Sequence, residues 1–389
     1  MRQPKALLLV LDSVGIGELP DAAAFGDPGC HTLGHIAEAV PGFAMPNTQA
    51  LGLGNIPGFP QMDPVASPGA NWGKMAEVSH GKDTTTGHWE FMGLVLDKPF
   101  KTFPNGFGPD ILEPFLQAIG KPSVLSNEAI SGTVVLDQHG REHMQTGNPI
   151  VYTSADPVFQ IAAHEDVVPL EQLYEWCQIA YDLVIPMGLS RVIARPFVGQ
   201  WPDFTRTHNR KDFALPPTRP TALDALTDQG VHVTGVGKIG NIYAHKGISS
   251  SIHTLDNAHG MQVTLEQLAS SQGDFIFTNL VDFDAKFGHR RNPEGYAGAL
   301  EAFDAWVPTL LEQLQDGDLL IITADHGNDP TYKGTDHTRE YVPLLALVKG
   351  QPVGKDLGVR ASFADVGATV ADFFDVSWDV GESFLGDLV

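Results

Sequence analysis

The stretch "FIFTNLVDFDAKFGH", residues 275–289, opens as a mainly apolar run and closes on Asp282, Asp284 and His289. Phe275 to Leu280, bounded by turn-forming and acidic residues, reads as a strand buried on both faces. Such strands belong to parallel sheets with helices packed on each side. In an open sheet of that kind, ligands sit at the carboxyl ends of the strands. The Asp and His residues that end this run are therefore candidates for chemistry. The pattern recurs. Ala6 to Leu11 runs into Asp12, and "LLIITADHGND" carries Leu319 to Thr323 into Asp325 and His326. A fourth run, Val342 to Val348, follows "KGTDHTRE" with its His337. Between strands lie helical patterns such as Pro293 to Leu314, with Ala297, Leu300, Phe303, Val307 and Leu310 near helical spacing. Alternation of this kind predicts an α/β fold with a central, mostly parallel sheet.

A chain of 389 residues exceeds one ordinary core, so two domains are expected. Two Pro- and Gly-rich stretches, Asp97 to Asp110 and Ala214 to Pro220, bracket a region with strand-like (Thr133 to Asp137) and helical (Leu170 to Leu183) pieces of its own. The simplest division is a core of residues 1–100 and 218–389 with a smaller α/β cap, 101–217, inserted. Two sequential domains would instead separate the Asp12 strand from the other acidic motifs.

Composition excludes several classes. With 47 acidic against 24 basic residues and a net charge of −23, the chain is not expected to bind nucleic acid or an anionic membrane, which need clustered Lys and Arg. Cys30 and Cys177 are the only cysteines, too few for a disulfide framework or a thiolate zinc site. The apolar run near Met1 stops at Asp12, too soon for a signal sequence or a membrane span. A cytoplasmic location is expected.

Taken singly, an Asp after a strand is commonly a helix cap, and Asp282 fits that role. A lone His337 would be a surface residue. Taken together, Asp12, Asp284, His289, Asp325, His326 and His337 bring three carboxylates and three imidazoles to one sheet edge. Three buried carboxylates repel one another and would protonate. Two divalent cations would neutralise them and leave a charge of about +1 to hold an anion. Oxygen and imidazole donors without thiolate suit Mn, Zn, Co or Mg, and paired metals are a clamp for in-line phosphoryl displacement. Such a site needs a nucleophile, which gives "GKDTTTGHWE" (81–90) a purpose beyond a Thr-rich loop.

Asp12, Asp83-Thr84, "DFDAKFGH", "ADHGND" and "TDHT" resemble the pattern of the alkaline phosphatase superfamily, in which a Ser or Thr sits between two metals. Within it, "GKDTTTGHWEFMG", "VYTSADPVFQIAAHE", "TRTHNRKDF" and "GTDHTREYVP" are similar to the bacterial phosphopentomutase family, over essentially the whole chain. The resemblance implies an alkaline-phosphatase-like core with an inserted cap, and an isomerase acting on pentose phosphates. It also implies two metal ions, Mn2+ for choice, and a catalytic sugar bisphosphate as activator. It selects Thr84 as nucleophile, since Asp83 precedes it and Gly87-His88 follows. It implies that Asp284, His289 and His337 hold one metal and Asp12, Asp325 and His326 the other. Thr85 and Thr86 are left to shape the turn or donate hydrogen bonds.

For the substrate's far phosphate, the segment 191–219 is unusually basic, with Arg191, Arg195, Arg206, Arg210, Lys211 and Arg219 against Asp203 and Asp212. Arginine's planar fork suits phosphate. Arg191 and Arg206 are the first choices, with Lys238 from the core and Asp156 for sugar hydroxyls. "GVGKIG" (235–240) matches a dinucleotide fingerprint, but "NIYAHKGISSS" after it does not read as the required helix, so the loop is read as presenting Lys238. The rivals are a phosphatase or sulfatase on the same core, a phosphoglycerate mutase, and a metal-holding protein without catalysis. No Cys stands at position 84, as the modified nucleophile of a sulfatase usually requires, and the mutase of phosphoglycerate usually uses serine.

Overall fold

The computed structural model describes residues 2–154 and 156–389, and in it each apolar run quoted above is a buried strand. β1 (Ala6–Leu11) and β2 (Asn71–Met75) belong to the first of two compact units, Met1–Lys98 with Pro216–Val389. The second unit, Pro99–Leu215, lies between them in sequence. It carries β3 (Asn127–Ala129), β4 (Ile150–Thr153), β5 (Val158–His164), β6 (Arg191–Gln200), β7 (Asp203–Arg206) and β8 (Lys211–Ala214). The first unit then resumes with β9 (Val233–Val236), β10 (Ser250–Ile252), β11 (Phe275–Leu280), β12 (Leu319–Thr323), β13 (Val342–Val348) and β14 (Asp356–Arg360). The division falls after residues 98 and 215, where composition alone had put it after 100 and 217.

In the first unit the strands form one sheet in the order β10-β9-β11-β1-β12-β13-β2-β14. β1 is central and parallel to both β11 and β12, with Leu11 opposite Leu280 and Val10 opposite Thr323. That register sets Asp12 level with Asp325 and brings the segment after Leu280 to the same edge. Side chains of β1, β11, β12 and β13 are buried along their whole length, as continuous Leu, Ile, Val and Phe runs require when both sheet faces are covered. The sheet is mostly parallel; β13 runs antiparallel to β12 and β2. The chain therefore leaves β12 and enters β13 at the same edge, which is how residues 324–341 return His337 to it.

The helix after the β11 motif, Pro293–Gln313, starts at an Asn292 cap that accepts from Gly295 N–H, with Pro293 in the first turn. It buries Ala297, Leu300, Phe303, Val307 and Leu310. "GVGKIG" ends β9 and turns at Gly237, whose φ of +80° and close approach to the Asn279 carbonyl (2.4 Å from an added Cβ) admit only glycine. Lys238 stands in that turn, before a short helix, Ile239–Ile242.

The second unit has its own six-stranded sheet, in the order β3-β4-β5-β6-β7 with β8 also paired to β6. Its helix Leu170–Val184 packs Leu173, Trp176, Cys177 and Ala180 into a core with Phe107, Phe115 and Phe159. The strand expected at Thr133 to Asp137 is instead the start of a helix, Val134–Thr146. Val135, Leu136, Gly140 and His143 are its buried residues, at helical spacing. A run of three apolar residues could not distinguish the two. Among the described residues no helix is long and apolar enough to cross a membrane.

Candidate active site

Asp12 follows β1 directly and is fully buried. Its Oδ2 accepts from Asn279 Nδ2 at 2.9 Å, while Oδ1 is buried with no hydrogen-bond partner among the described residues. Asp325, also fully buried, accepts from Ser13 N–H through Oδ1 (3.0 Å). Its Oδ2 lies 3.0 Å from His88 Nδ1 and 3.4 Å from His326 Nε2. The next residue, His326, has Nδ1 at 3.0 Å from the Gly327 carbonyl. Donation there leaves Nε2 with its lone pair, 3.6 Å from Asp12 Oδ1.

The β11 motif supplies the other side. Phe283–Gly288 is a π-helical turn, with His289 N–H closing onto the Asp284 carbonyl at 3.1 Å. A π-turn pairs residues five apart, so the D-x4-H spacing sets Asp284 and His289 side by side. Asp284 Oδ2 is 3.3 Å from His289 Nε2, and its Oδ1 is 3.3 Å from His337 Nε2. The two Nε2 atoms are 3.1 Å apart. Asp284 Oδ1 also accepts from Asn328 Nδ2 at 2.7 Å. His289 Nδ1 faces the Thr335 carbonyl at 2.7 Å, which again turns Nε2 inward.

The six residues expected to hold metal thus meet at one place. Donor atoms of Asp12, Asp325 and His326 lie within 4.8 Å of one another, and so do those of Asp284, His326 and His337. His326 borders both groups, whereas the expected division gave it to one.

Charge explains why the cluster suits cations. Burial, then the Asp325 and Asp284 charges, push the Asp12 carboxyl well above the usual carboxylate range. Burial would raise Asp284 too, but His289 and His337 outweigh it and hold that carboxyl well below its ordinary value. At Asp325 burial is likewise outweighed, by His326 and His88. Burial lowers His326 below the ordinary histidine value, favouring the neutral ring. An orphaned buried carboxylate oxygen beside imidazoles whose Nε2 atoms face inward fits divalent ions bound through oxygen and nitrogen.

Thr84 opens the helix Thr84–Phe91 behind an Asp83 N-cap. Asp83 Oδ1 accepts from the N–H groups of Thr85 (3.0 Å) and Thr86 (3.2 Å), and its Oδ2 accepts from Thr86 Oγ1 at 2.5 Å. The Thr86 hydroxyl is therefore committed to the cap. That of Thr84 points at the cluster, 3.2 Å from His326 Nε2. Gly87 lets this helix press against the neighbouring strand end: a Cβ there would lie 2.1 Å from the Asp325 carbonyl oxygen.

Four residues of this site escaped the reading of the sequence: His88, Asn279, Asn328 and Ser13. His88 is fully buried between the Thr84 carbonyl (2.9 Å) and Asp325 and stacks on Phe277. Its signal is its place one helical turn after Thr84. Asn279 and Asn328 sit inside the quoted motifs, and each gives an amide donor to a carboxylate.

The residues expected at the substrate divide between the two units. Lys238, in the first, is near enough to Asp12 for its charge to oppose the rise in that carboxyl's pKa. The other three lie in the second unit. Asp156 is in the turn before β5, Arg191 at the start of β6 and Arg206 at the end of β7. Arg191 Nη1 is 3.4 Å from Asp212 Oδ2, and Arg210 Nε is 2.6 Å from Asp212 Oδ1. Burial would raise Asp212, but Arg210, Arg191 and Arg195 bring it to about 2. Arg195 is brought to about 10 by burial, then Arg210.

A model of the Metalloenzyme superfamily matches residues 4–378. The chain is 51% identical to the phosphopentomutase of Alkaliphilus oremlandii over 387 residues, 99% of each chain. It is 52% identical to that of Anaeromyxobacter dehalogenans over 384 residues, covering 99% of this chain and 98% of the relative. Among solved structures, a Pyrococcus horikoshii protein superposes with a TM-score of 0.50 at 15% identity, over 98% of this chain and 99% of that one, which is a likeness of fold.

Proposed function

The chain belongs to the phosphopentomutase family of the metalloenzyme superfamily, a family of isomerases with an alkaline-phosphatase-like α/β core, and on that premise we propose how it works. Its reaction is the interconversion of ribose or deoxyribose 1-phosphate with the corresponding 5-phosphate. Thr84 is the nucleophile and carries phosphate in the resting enzyme. The observation that carries this is the Thr84 hydroxyl, 3.2 Å from His326 Nε2, beside a Thr86 hydroxyl already spent on Asp83.

A hydroxyl of the bound sugar phosphate attacks phosphorus, and the bond to Thr84 Oγ1 breaks, giving a 1,5-bisphosphate. The sugar then presents its other end, and Thr84 Oγ1 takes up the second phosphate. The two half-reactions mirror each other, so isomerisation needs no net water and releases no phosphate. A catalytic amount of sugar bisphosphate would load Thr84 at the start. Asp12, Asp284, His289, Asp325, His326 and His337 would hold two divalent cations, by choice Mn2+. When bound, these supply charge neutralisation at the transferring phosphoryl group and lower the pKa of the attacking or leaving oxygen.

Asp83 fixes the helix start, holding the Thr86 hydroxyl while that of Thr84 lies 3.2 Å from His326 Nε2. Ser13 N–H, Asn279 and Asn328 orient the carboxylates, and backbone carbonyls at Gly327 and Thr335 set the ring orientation of His326 and His289. We assign the second unit the role of a cap. Arg191 and Arg206, with Lys238, grip the far phosphate, and Asp156 accepts from sugar hydroxyls. Excluding water at closure would keep transfer from becoming hydrolysis.

The test supplies Mn2+, a trace of ribose 1,5-bisphosphate and ribose 1-phosphate, and follows ribose 5-phosphate and free phosphate together. Ribose 5-phosphate without phosphate release is expected, and Thr84→Ala should abolish it while cations still bind. Release of phosphate as the main product would make the site a phosphatase and overturn the mutase reading.

A further inference from the structure

The loop that leads to Thr84, residues 76–83, lies outside any strand or helix, yet its backbone is held from two sides. On one side stands Arg339, 2% exposed and two residues beyond His337. Its Nη1 donates to the Ser79 carbonyl (2.9 Å), the Gly81 carbonyl (2.7 Å) and Glu77 Oε2 (2.7 Å). Nη2 donates to the Glu77 carbonyl at 2.8 Å and to Asp21 Oδ2 at 3.0 Å, and Nε reaches Asp21 Oδ1 at 3.1 Å. Phe25 lies against the guanidinium, 4.6 Å from ring centre to Cζ. Three carbonyls, at 77, 79 and 81, thus converge on one planar group.

On the other side the loop's N–H groups turn to Glu90, a buried residue of the Thr84 helix itself. Val78 N–H and Ser79 N–H donate to its carboxylate, the latter at 2.7 Å. A second cation closes the circuit. Lys82 Nζ contacts Asp27 Oδ2 (2.9 Å) and Asp336 Oδ2 (3.1 Å), and Asp27 Oδ2 also accepts Arg339 N–H at 3.0 Å. One buried guanidinium therefore ties the segment that presents Thr84 to the segment that presents His337.

We propose that Arg339 is a positioning residue for phosphoryl transfer, fixing the Thr84 loop against the His337 segment without itself touching substrate. This rests on the reading of Thr84 as nucleophile. A rigid planar fork of five donors reaches three carbonyls and two carboxylates at once, with one Nη1 N–H shared between two of its three acceptors. A lysine keeps the charge but offers three donors from a single atom, so part of the loop is released.

The experiment uses full-length Arg339→Lys beside the wild type. Circular dichroism and Mn2+ binding should match the wild type, while amides of residues 77–83 exchange faster with deuterium. The kcat for isomerisation should fall about 100-fold, the effect of roughly 1 Å of misplacement at a reacting atom, with KM changed less than about two-fold. Single-turnover loading of phosphate from ribose 1,5-bisphosphate onto the enzyme should slow by the same factor. Unchanged kcat overturns the proposal, and so does a fall in kcat explained by lost Mn2+ binding with unchanged exchange. If Arg339→Lys does not fold, Arg339→Gln takes its place, and failure of both to fold makes Arg339 a structural residue and also overturns it. A wild type that takes no phosphate on Thr84 rejects the nucleophile reading instead, and loop exchange then reports separately whether the guanidinium clamps the loop.

Discussion

Replacing Gly87 with alanine should cost activity far more than stability. The added Cβ would lie 2.1 Å from the Asp325 carbonyl oxygen, 2.9 Å from its carbon and 3.1 Å from Asp325 Cβ. Carbon and oxygen need about 3.2 Å or more, so the helix Thr84–Phe91 and the Asp325 segment must part by roughly 1 Å. Overpacking of this kind costs about 1–3 kcal/mol. Alanine returns up to about 1 kcal/mol in a helix interior, leaving a net destabilisation of roughly 0–2 kcal/mol. Thr84 is on the same helix, one turn away, and its hydroxyl lies 3.2 Å from His326 Nε2. A 1 Å retreat should therefore lower kcat about 100-fold. Steady-state kinetics and urea unfolding of the same preparation would measure both. Wild-type kcat in Gly87→Ala would refute the claim that close approach at this glycine positions the nucleophile. A loss of activity matched by collapse of the fold would refute it equally.

Three further outcomes follow from the same structure. Calorimetric titration of metal-stripped protein with Mn2+ should show about two ions per chain, and Asp12→Asn should bind fewer. Binding should weaken as pH falls through the histidine range, because protonated rings cannot ligate; pH-independent affinity would contradict the imidazole ligands. In the second unit, Asp212 has a carboxyl brought to about 2 from 3.8 and a nearly buried side chain. A depressed acid pKa gives stability that is fully present above the unfolded value and is lost as pH falls towards 2. Urea unfolding should therefore find Asp212→Asn less stable by about 2 kcal/mol at pH 6, with the difference shrinking below pH 4.

Much of this was legible in the sequence because the informative strands are buried on both faces. Continuous apolar runs at Ala6–Leu11, Phe275–Leu280, Leu319–Thr323 and Val342–Val348 admit one reading once the intervening helices are recognised. The motif residues stand at the ends of those runs, so strand order alone brings Asp12, Asp284 and Asp325 to one edge. The short segment Thr133–Asp137 failed for the complementary reason: its apolar stretch is too brief to show a period, and the helix declares itself only at Gly140 and His143. The antiparallel insertion of β13 also left no local mark, since a buried strand reads alike in either direction. Supporting residues were hardest to see. His88, Asn279 and Arg339 act through contacts with residues 155 or more positions away or through a neighbouring turn, and nothing in their own surroundings in the chain announces those distant partners.

The claim on which the rest depends is that phosphate passes through Thr84. The most direct measurement is to incubate the Mn2+-loaded enzyme with ribose 1,5-bisphosphate, quench it, and locate phosphate by peptide mass spectrometry across residues 81–90. Phosphate on Thr84 alone, lost again when ribose 5-phosphate is added, is the predicted result. A working isomerase with no phosphopeptide there, or with the phosphate on Thr85 or Thr86, would contradict it.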